Sequence, residues 1–201
     1  MDPVLTRQTI AEWISAWTKG VTDSFRHIEA NSTTGLVVLN LCSGVDMIAE
    51  AMRQQNIPVR QHISVEKDSV ARSIAILHHN PDVTSLPHDI KEITREHIKK
   101  VFRLHGGIDV VTISTPCQDL SPANTRGEGL KGKESRLMYT ALDILDMVKE
   151  LNPSVKYLIE NVQFEKKFPE QFAELNARIG HKPIESDAQQ KALFLDKHTT
   201  T

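Results

Sequence analysis

The sequence lacks the features that mark secreted, membrane-spanning or disordered chains. Two cysteines in 201 residues are too few for a disulfide framework and favour a reducing, intracellular location. The longest apolar runs are far shorter than the roughly 20 residues of a membrane span, and the first residues show no secretory signal pattern. A net charge of −2 excludes a strongly basic nucleic-acid-binding tail. We therefore expect an intracellular protein with no membrane contact, cytoplasmic in a bacterium or virus and nuclear in a eukaryote.

Metal-binding patterns are also missing, although the chain has nine histidines. His78 and His79 are adjacent, so on a helix they point in different directions, and no HExxH or CxxC spacing accompanies them. We expect no metal site.

From residue 36 onward, short apolar runs alternate with amphipathic segments. Predicted strands cover residues 36–41, 59–65, 82–86 (weakly), 108–113 and 155–159, with two short final candidates at 183–186 and 192–195. Predicted helices cover residues 47–54, 69–79, 91–104, 135–151 and 168–179. This alternation predicts an α/β fold with a Rossmann-like, doubly wound, mostly parallel sheet.

The first 34 residues form a different pattern. Ile10, Trp13, Ile14 and Trp17 recur at helical spacing, which predicts an N-terminal helical segment over residues 1–34. We expect a single core domain over residues 35–201.

In doubly wound sheets, ligands bind beyond the carboxyl ends of the strands. Gly44 stands in a turn after the first predicted strand, and Glu66 follows the second strand, 22 residues later. This spacing is typical of folds that bind a nucleoside cofactor, in which the acid contacts the ribose. Asp89 follows the third strand and could bind a purine amino group. Taken singly, these residues also fit an ordinary turn and solvated loop acids; together they predict an adenosyl pocket.

The end of the fourth predicted strand carries a candidate nucleophile. Cys117 follows Pro116 in a loop, although free cysteines are often buried and inert. Glu160 ends the fifth strand, which we expect to be the sheet neighbour of the fourth. A thiol beside an acid suits attack on an electron-poor ring whose nitrogen is protonated during the attack.

Two segments in this order resemble motifs of the cytosine-5 DNA methyltransferases: Pro-Cys-Gln at 116–118 and Glu-Asn-Val at 160–162. The sequence of residues 114–121 is most similar to the animal de novo DNA methyltransferases, as is Arg-Leu-Met at 136–138. The resemblance implies that Cys117 attacks cytosine C6 and that Glu160 engages the N3/N4 edge of the base.

The resemblance also implies S-adenosylmethionine as cofactor, DNA as substrate and a role for the surrounding residues. Pro116 and Asn161 would shape the base pocket. The cofactor-binding candidates are Cys42, Ser43, Gly44 and Val45 for the methionine end, Glu66 for the ribose, and Asp89 and Ile90 for the adenine.

A glycine-rich stretch over residues 127–132 imitates a phosphate-binding loop. Glu134 replaces the Ser or Thr that should follow Lys133, so the magnesium-binding hydroxyl is absent. We interpret the stretch as a basic active-site loop; an ordinary solvated surface loop is the alternative. The candidate nucleic-acid contacts are Ser121, Arg126, Lys131, Lys133 and Lys191.

The chain departs from the family pattern in three places. Asp46 stands where a small residue is expected, and the run 189–193 keeps Lys191 but lacks the family's arginine. No target-recognition domain is expected, so the chain resembles a truncated catalytic core, and a second subunit would supply recognition. Two alternatives stay open: a catalytically degenerate binding or regulatory protein, and an enzyme that acts on RNA. A nicotinamide dehydrogenase fits worse, because the glycine fingerprint is in the wrong place.

Overall fold

The computed structural model describes residues 35–180 and, as backbone only, the two strands 184–186 and 191–195. The predicted N-terminal helical segment therefore lies outside the described residues, as does the side chain of Lys191.

The strands of the described residues form one sheet. They are β1 (Leu36–Leu41), β2 (Val59–Val65), β3 (Val110–Ile113), β4 (Lys156–Val162), β5 (Ile184–Ser186) and β6 (Lys191–Leu195). Their order is β2-β1-β3-β4-β6-β5. The first four strands are parallel to one another, and β6 is antiparallel to β4 and β5. This topology confirms the predicted doubly wound, mostly parallel fold, including the pairing of the strand that precedes Cys117 with the strand that carries Glu160.

Helices cover both faces of the sheet. They are α1 (Met47–Gln54), α2 (Ser69–His79), α3 (Arg95–His105), α4 (Leu137–Leu151) and α5 (Pro169–Ile179), with 3-10 turns at Ile90–Glu92 and Gly129–Lys131. Within the described part of the chain, no helix combines the length and the apolar character that a membrane crossing requires.

The strand β1 is buried along its whole length because side chains of both faces meet a hydrophobic cluster. Val37, Leu39 and Leu41 pack into the larger cluster, which includes residues of α3, α4 and α5. Leu36 and Val38 pack into a smaller cluster with residues of α1. This two-sided burial explains why the strand is a continuous apolar run.

Two predicted elements were wrong in detail. The weak strand at 82–86 is reduced to a single bridge between Asp82 and Ile63. The Asp82 carboxylate accepts hydrogen bonds from the N–H groups of Thr84 and Ser85, so the chain turns instead of pairing further. The predicted helix at 91–104 is split, because Thr94 caps α3 with a side-chain hydrogen bond to the His97 N–H group.

Candidate active site

A cavity of about 490 Å³ opens beyond the carboxyl ends of β1 and β2, a size that suits a small-molecule ligand. We call it the strand-end cavity. Several predicted residues from separate segments line it, namely Cys42, Glu66, Asp89, Ile90 and Pro116. Four of the seven predicted cofactor residues thus share one space with the residue that precedes Cys117.

The Glu66 carboxylate joins the turn after β1 to the end of β2. Its Oε2 accepts a hydrogen bond from the Gly44 N–H group at 2.8 Å, and its Oε1 accepts one from the Asp68 N–H group at 2.7 Å. Gly44 has a φ of 56°, a conformation that glycine adopts at low cost. The paired glycine and acid predicted from their spacing are therefore in direct contact.

Asp89 also lines the strand-end cavity and is held by two hydrogen bonds. Its Oδ2 accepts a hydrogen bond from Lys67 Nζ at 2.8 Å, and its Oδ1 accepts one from the Lys91 N–H group at 3.0 Å. The Lys67 hydrogen bond, followed by the one from the Lys91 backbone, lowers the pKa of Asp89. The carboxylate is therefore ionised and can accept further hydrogen bonds.

The Cys42 thiol lies in the same cavity but has low nucleophilic reactivity. Burial, reinforced by the negative charges of Glu66 and Asp89, raises the pKa of Cys42 to about 12. The thiol is therefore protonated at neutral pH and is a poor nucleophile.

Ser43 and Val45 are not among the residues that line the strand-end cavity. The Ser43 hydroxyl is buried and lies 2.7 Å from the Ser64 hydroxyl, within hydrogen-bond distance, and Val45 is exposed.

Asp46 is fully buried and left-handed, with a φ of 65°. Asn40 Nδ2 donates to Asp46 Oδ1 at 2.8 Å, and His62 Nε2 lies 3.1 Å from the same oxygen. Burial by itself would raise the pKa of Asp46, but the His62 and Asn40 contacts lower it below its ordinary value. Thr112 Oγ1 donates in turn to Asn40 Oδ1 at 2.9 Å. An ionised aspartate is thus accommodated where the resemblance predicts a small residue.

Residues 114–136, the Pro-Cys loop, follow β3 and carry the candidate nucleophile. Cys117 is half-buried, and its carbonyl oxygen accepts hydrogen bonds from the N–H groups of Leu120 and Ser121 at 3.0 and 2.9 Å. The buried Ser135 hydroxyl donates to the Pro116 carbonyl at 3.2 Å. Cys117 therefore sits at the start of a tight turn whose preceding residue is anchored.

The end of β4 is tied to this loop by Asn161. Its Nδ2 donates to the Thr115 carbonyl oxygen at 3.1 Å and to Thr115 Oγ1 at 3.2 Å. Glu160 is half-buried and stands one position beyond Ile159, which pairs with Ile113 at the end of β3. The register and the Asn161 contacts together bring the Glu160 segment alongside the Cys117 loop.

Lys167 and Gln171 contact the Pro-Cys loop, although sequence reasoning missed both. Lys167 Nζ donates to the carbonyl oxygens of Ser121 and Asn124 at 2.9 and 2.5 Å. Gln171 Oε1 accepts a hydrogen bond from the Leu130 N–H group at 2.5 Å. Lys167 precedes the predicted helix at 168–179 and Gln171 lies within it, but neither belongs to a motif, so no sequence signal marked them as site residues.

Gly127 allows close packing within the loop. A Cβ atom at this position would lie 2.2 Å from the Asp119 carbonyl oxygen, which is closer than real Cβ contacts come. The glycine-rich stretch thus serves the packing of the loop against its own backbone. It does not directly follow a strand as a phosphate-binding turn does.

Most candidate nucleic-acid contacts lie on this loop. Arg126, Lys131 and Lys133 are exposed, and Ser121 is half-buried. Lys133 Nζ is 4.0 Å from a Glu134 carboxylate oxygen, a contact of little strength at the surface. Contact of these side chains with nucleic acid stays a prediction. Among the residues that the structure describes, no group of three or more histidine, cysteine or acidic side chains could hold a metal ion.

Comparison with solved structures agrees with the fold. The S. pombe Dnmt2 methyltransferase matches with a TM-score of 0.55 and 24% identity, over 80% of this chain and 48% of that chain. A putative DNA modification methyltransferase encoded within an E. coli prophage matches with a TM-score of 0.57 and 19% identity, over 80% of this chain and 46% of that chain.

Sequence comparisons identify the family. The chain is 34% identical over 119 residues to the DNA (cytosine-5)-methyltransferase DRM2 of Oryza sativa subsp. japonica, covering 57% of this chain and 20% of that protein. It is 27% identical over 129 residues to the tRNA (cytosine(38)-C(5))-methyltransferase of Mus musculus, covering 64% of this chain and 29% of that protein. The chain thus spans less than a third of the length of these two relatives. The family model for C-5 cytosine-specific DNA methylases matches residues 36–175. The resemblance drawn from the Pro-Cys-Gln and Glu-Asn-Val segments is confirmed: the chain belongs to the C-5 cytosine-specific DNA methylase family.

Proposed function

We propose that this chain transfers a methyl group from S-adenosylmethionine to C5 of cytosine in DNA, through a covalent intermediate on Cys117. One observation carries the proposal: Asn161 joins the segment of Glu160 to the loop of Cys117, beside a cavity that Pro116 also lines. This arrangement supports a reaction in which a nucleophile and an acid act on one base next to a bound cofactor.

The strand-end cavity fits the adenosyl part of S-adenosylmethionine. Glu66 and Asp89 offer carboxylate oxygens to the ribose hydroxyls and the adenine amino group, and Ile90 offers an apolar surface. When bound, S-adenosylmethionine supplies an electrophilic methyl group. Because its pKa is about 12, the Cys42 thiol stays protonated and does not compete for that methyl group.

Cys117 and Glu160 act on different atoms of the cytosine ring. Cys117 Sγ bonds to C6 of cytosine, and the displaced electron pair makes C5 nucleophilic. Glu160 stabilises the ring at the N3/N4 edge by hydrogen bonding and by holding a proton there. After C5 is methylated it loses its proton, and the C6–S bond breaks to release the Cys117 thiolate. The base has to leave the duplex stack for this, at a cost of a few kcal/mol.

The test is a covalent trap. In DNA that contains 5-fluorocytosine, the fluorine at C5 cannot leave as a proton does, so the Cys117 adduct persists after methylation. We expect a stable protein–DNA adduct whose DNA-bearing peptide contains Cys117, and no adduct with Cys117→Ser or with an unmodified cytosine oligonucleotide of the same sequence. If the wild-type chain forms no Cys117-dependent adduct, alone or with candidate recognition subunits added, the catalytic proposal is wrong.

An RNA substrate is a second candidate, because curated relatives include tRNA (cytosine(38)-C(5))-methyltransferases. A 5-fluorocytosine RNA of matched sequence, used in parallel with the DNA, discriminates between them. Faster adduct formation on RNA would replace DNA in the proposal. Undetectable S-adenosylmethionine binding in titration calorimetry would instead favour the degenerate binding protein.

A further inference from the structure

Lys167 makes contacts that are unusual for a lysine near the surface. Its side chain is half-buried in the connection between β4 and α5, and Nζ donates to two backbone carbonyl oxygens, those of Ser121 and Asn124. Nζ also lies 4.9 Å from the centroid of the Phe168 ring, within the range of a cation–π contact. The ammonium group is therefore bound to the backbone of the Pro-Cys loop, more than 40 residues away in sequence.

The two carbonyl groups belong to the turn that follows the nucleophile. The Ser121 N–H group donates to the Cys117 carbonyl oxygen at 2.9 Å, and Asn124 Nδ2 donates to the Gln118 carbonyl oxygen at 2.9 Å. A shift of either Ser121 or Asn124 would therefore be transmitted to Cys117 or to its neighbour.

Cys117 consequently lies between two anchors that both come from the segment at and after the end of β4. Asn161 binds Thr115, two residues before Cys117. Lys167 binds Ser121 and Asn124, four and seven residues after it. The two anchors therefore bracket Cys117 on both sides.

We propose that Lys167 is a positioning residue that fixes the Cys117 thiol relative to Glu160 and the target base. The proposal rests on the proposed function for its catalytic consequence. Its structural part, the placement of the loop, is measurable without turnover. Charged donors form the stronger hydrogen bonds of proteins, which suits an ammonium group for holding two carbonyl groups at once.

The experiment compares three variants of the full chain. Lys167→Met keeps most of the aliphatic stem but removes the charge and the donors, and Lys167→Arg restores a cation with donors. Lys166→Met is the matched control, because Lys166 is the adjacent residue and is exposed. Each variant is measured for the rate of the 5-fluorocytosine adduct, for S-adenosylmethionine affinity by calorimetry, and for hydrogen exchange of the amides of residues 117–124.

We expect Lys167→Met to slow adduct formation about 10- to 100-fold, the effect of a misplacement of about 1 Å, while the cofactor Kd changes less than about twofold. The amides of residues 117–124 should exchange faster. Lys167→Arg should recover most of the adduct rate, and Lys166→Met should match wild type.

Two results would overturn the inference. One is a Lys167→Met variant whose adduct rate and loop exchange equal those of wild type. The other is a Lys167→Met variant that loses cofactor affinity and global stability together with the adduct, without rescue by arginine, which would indicate a general structural role. If wild type forms no adduct at all, the proposed function fails. The exchange rates of residues 117–124 in Lys167→Met, with Lys167→Arg and Lys166→Met beside them, still decide whether Lys167 holds the loop.

Discussion

Exchanging the Asn161 amide for a carboxylate tests the link between the two halves of the site. Asn161 is 1% exposed, and its Nδ2 donates to both Thr115 oxygens, while its Oδ1 accepts from the Val162 N–H group at 2.9 Å. Asn161→Asp preserves the shape and the Oδ1 contact but replaces the donor by an acceptor. It therefore sets an oxygen against the buried Thr115 carbonyl.

The magnitude follows from the lost contacts. Each hydrogen bond contributes about 1 kcal/mol net, and a buried carbonyl left without a partner costs about 1–3 kcal/mol. Since the two donations come from one amide group, we expect Asn161→Asp to lower the free energy of unfolding by about 3 kcal/mol. With a urea m-value of about 2 kcal/mol/M, the unfolding midpoint should fall by about 1.5 M. The adduct rate on 5-fluorocytosine DNA should fall as well, because the Cys117 loop loses one of its two anchors.

Asn152 provides the matched control. Its Nδ2 donates to the Ile108 carbonyl oxygen at 2.9 Å and its Oδ1 accepts from the Ser154 N–H group, but it lies after α4, away from the Pro-Cys loop. Asn152→Asp should lower stability by about 1–2 kcal/mol and leave the adduct rate of the folded protein unchanged. An Asn161→Asp protein with the urea midpoint of wild type, or an Asn152→Asp protein that loses the adduct equally, would refute the reasoning.

Three further predictions concern other parts of the site. With its pKa at about 12, Cys42 should react with iodoacetamide at pH 8 about a thousandfold more slowly than a small free thiol. The measurement is the labelling of Cys42 in the Cys117→Ser variant. Since the pKa of Cys42 is raised on folding, the contribution of this thiol to stability is present below pH 9 and is lost as the pH rises towards 12. Gly127→Ala should slow adduct formation and accelerate amide exchange in the Pro-Cys loop, because the new Cβ would overlap the Asp119 carbonyl oxygen; unchanged exchange would contradict this. The pKa of Asp46 is lowered on folding, so its carboxylate stabilises the fold above its unfolded pKa, and this stabilisation is lost as the pH falls through the folded pKa. In urea unfolding, the difference in the free energy of unfolding between wild type and Asp46→Asn should shrink from pH 7 to pH 3. A constant difference would contradict the assignment.

The strands could be predicted where burial is two-sided, because a continuous apolar run such as β1 has few other structural solutions. The strand predicted at 82–86 failed because a local contact prevailed: the Asp82 carboxylate binds the next backbone N–H groups and turns the chain. Local competition of this kind leaves little trace in hydrophobic periodicity.

The same contrast holds for the site. Cys42, Glu66, Asp89 and Pro116 were predictable as neighbours, since the carboxyl ends of parallel strands meet at one edge of the sheet. The contact of Lys167 with the Pro-Cys loop was not predictable, because its two acceptors are backbone carbonyl groups. Any residue has a carbonyl group, so no partner residue type in the sequence marks such a contact.

Asp46 shows why a departure from a family pattern need not weaken a site. Asp46 carries two free-energy costs: its backbone is left-handed, and its charged side chain is fully buried. The charge is offset by Asn40 and His62, and Thr112 orients the Asn40 amide. These partners sit on three strands of the sheet, β1, β2 and β3, so the turn that carries Gly44 is tied to the sheet by side-chain contacts. A small residue at this position would leave the turn without those ties. With aspartate at this position, the turn is anchored to the sheet, whereas a small residue would leave it more conformational freedom. An anchored turn is compatible with a preorganised cofactor site.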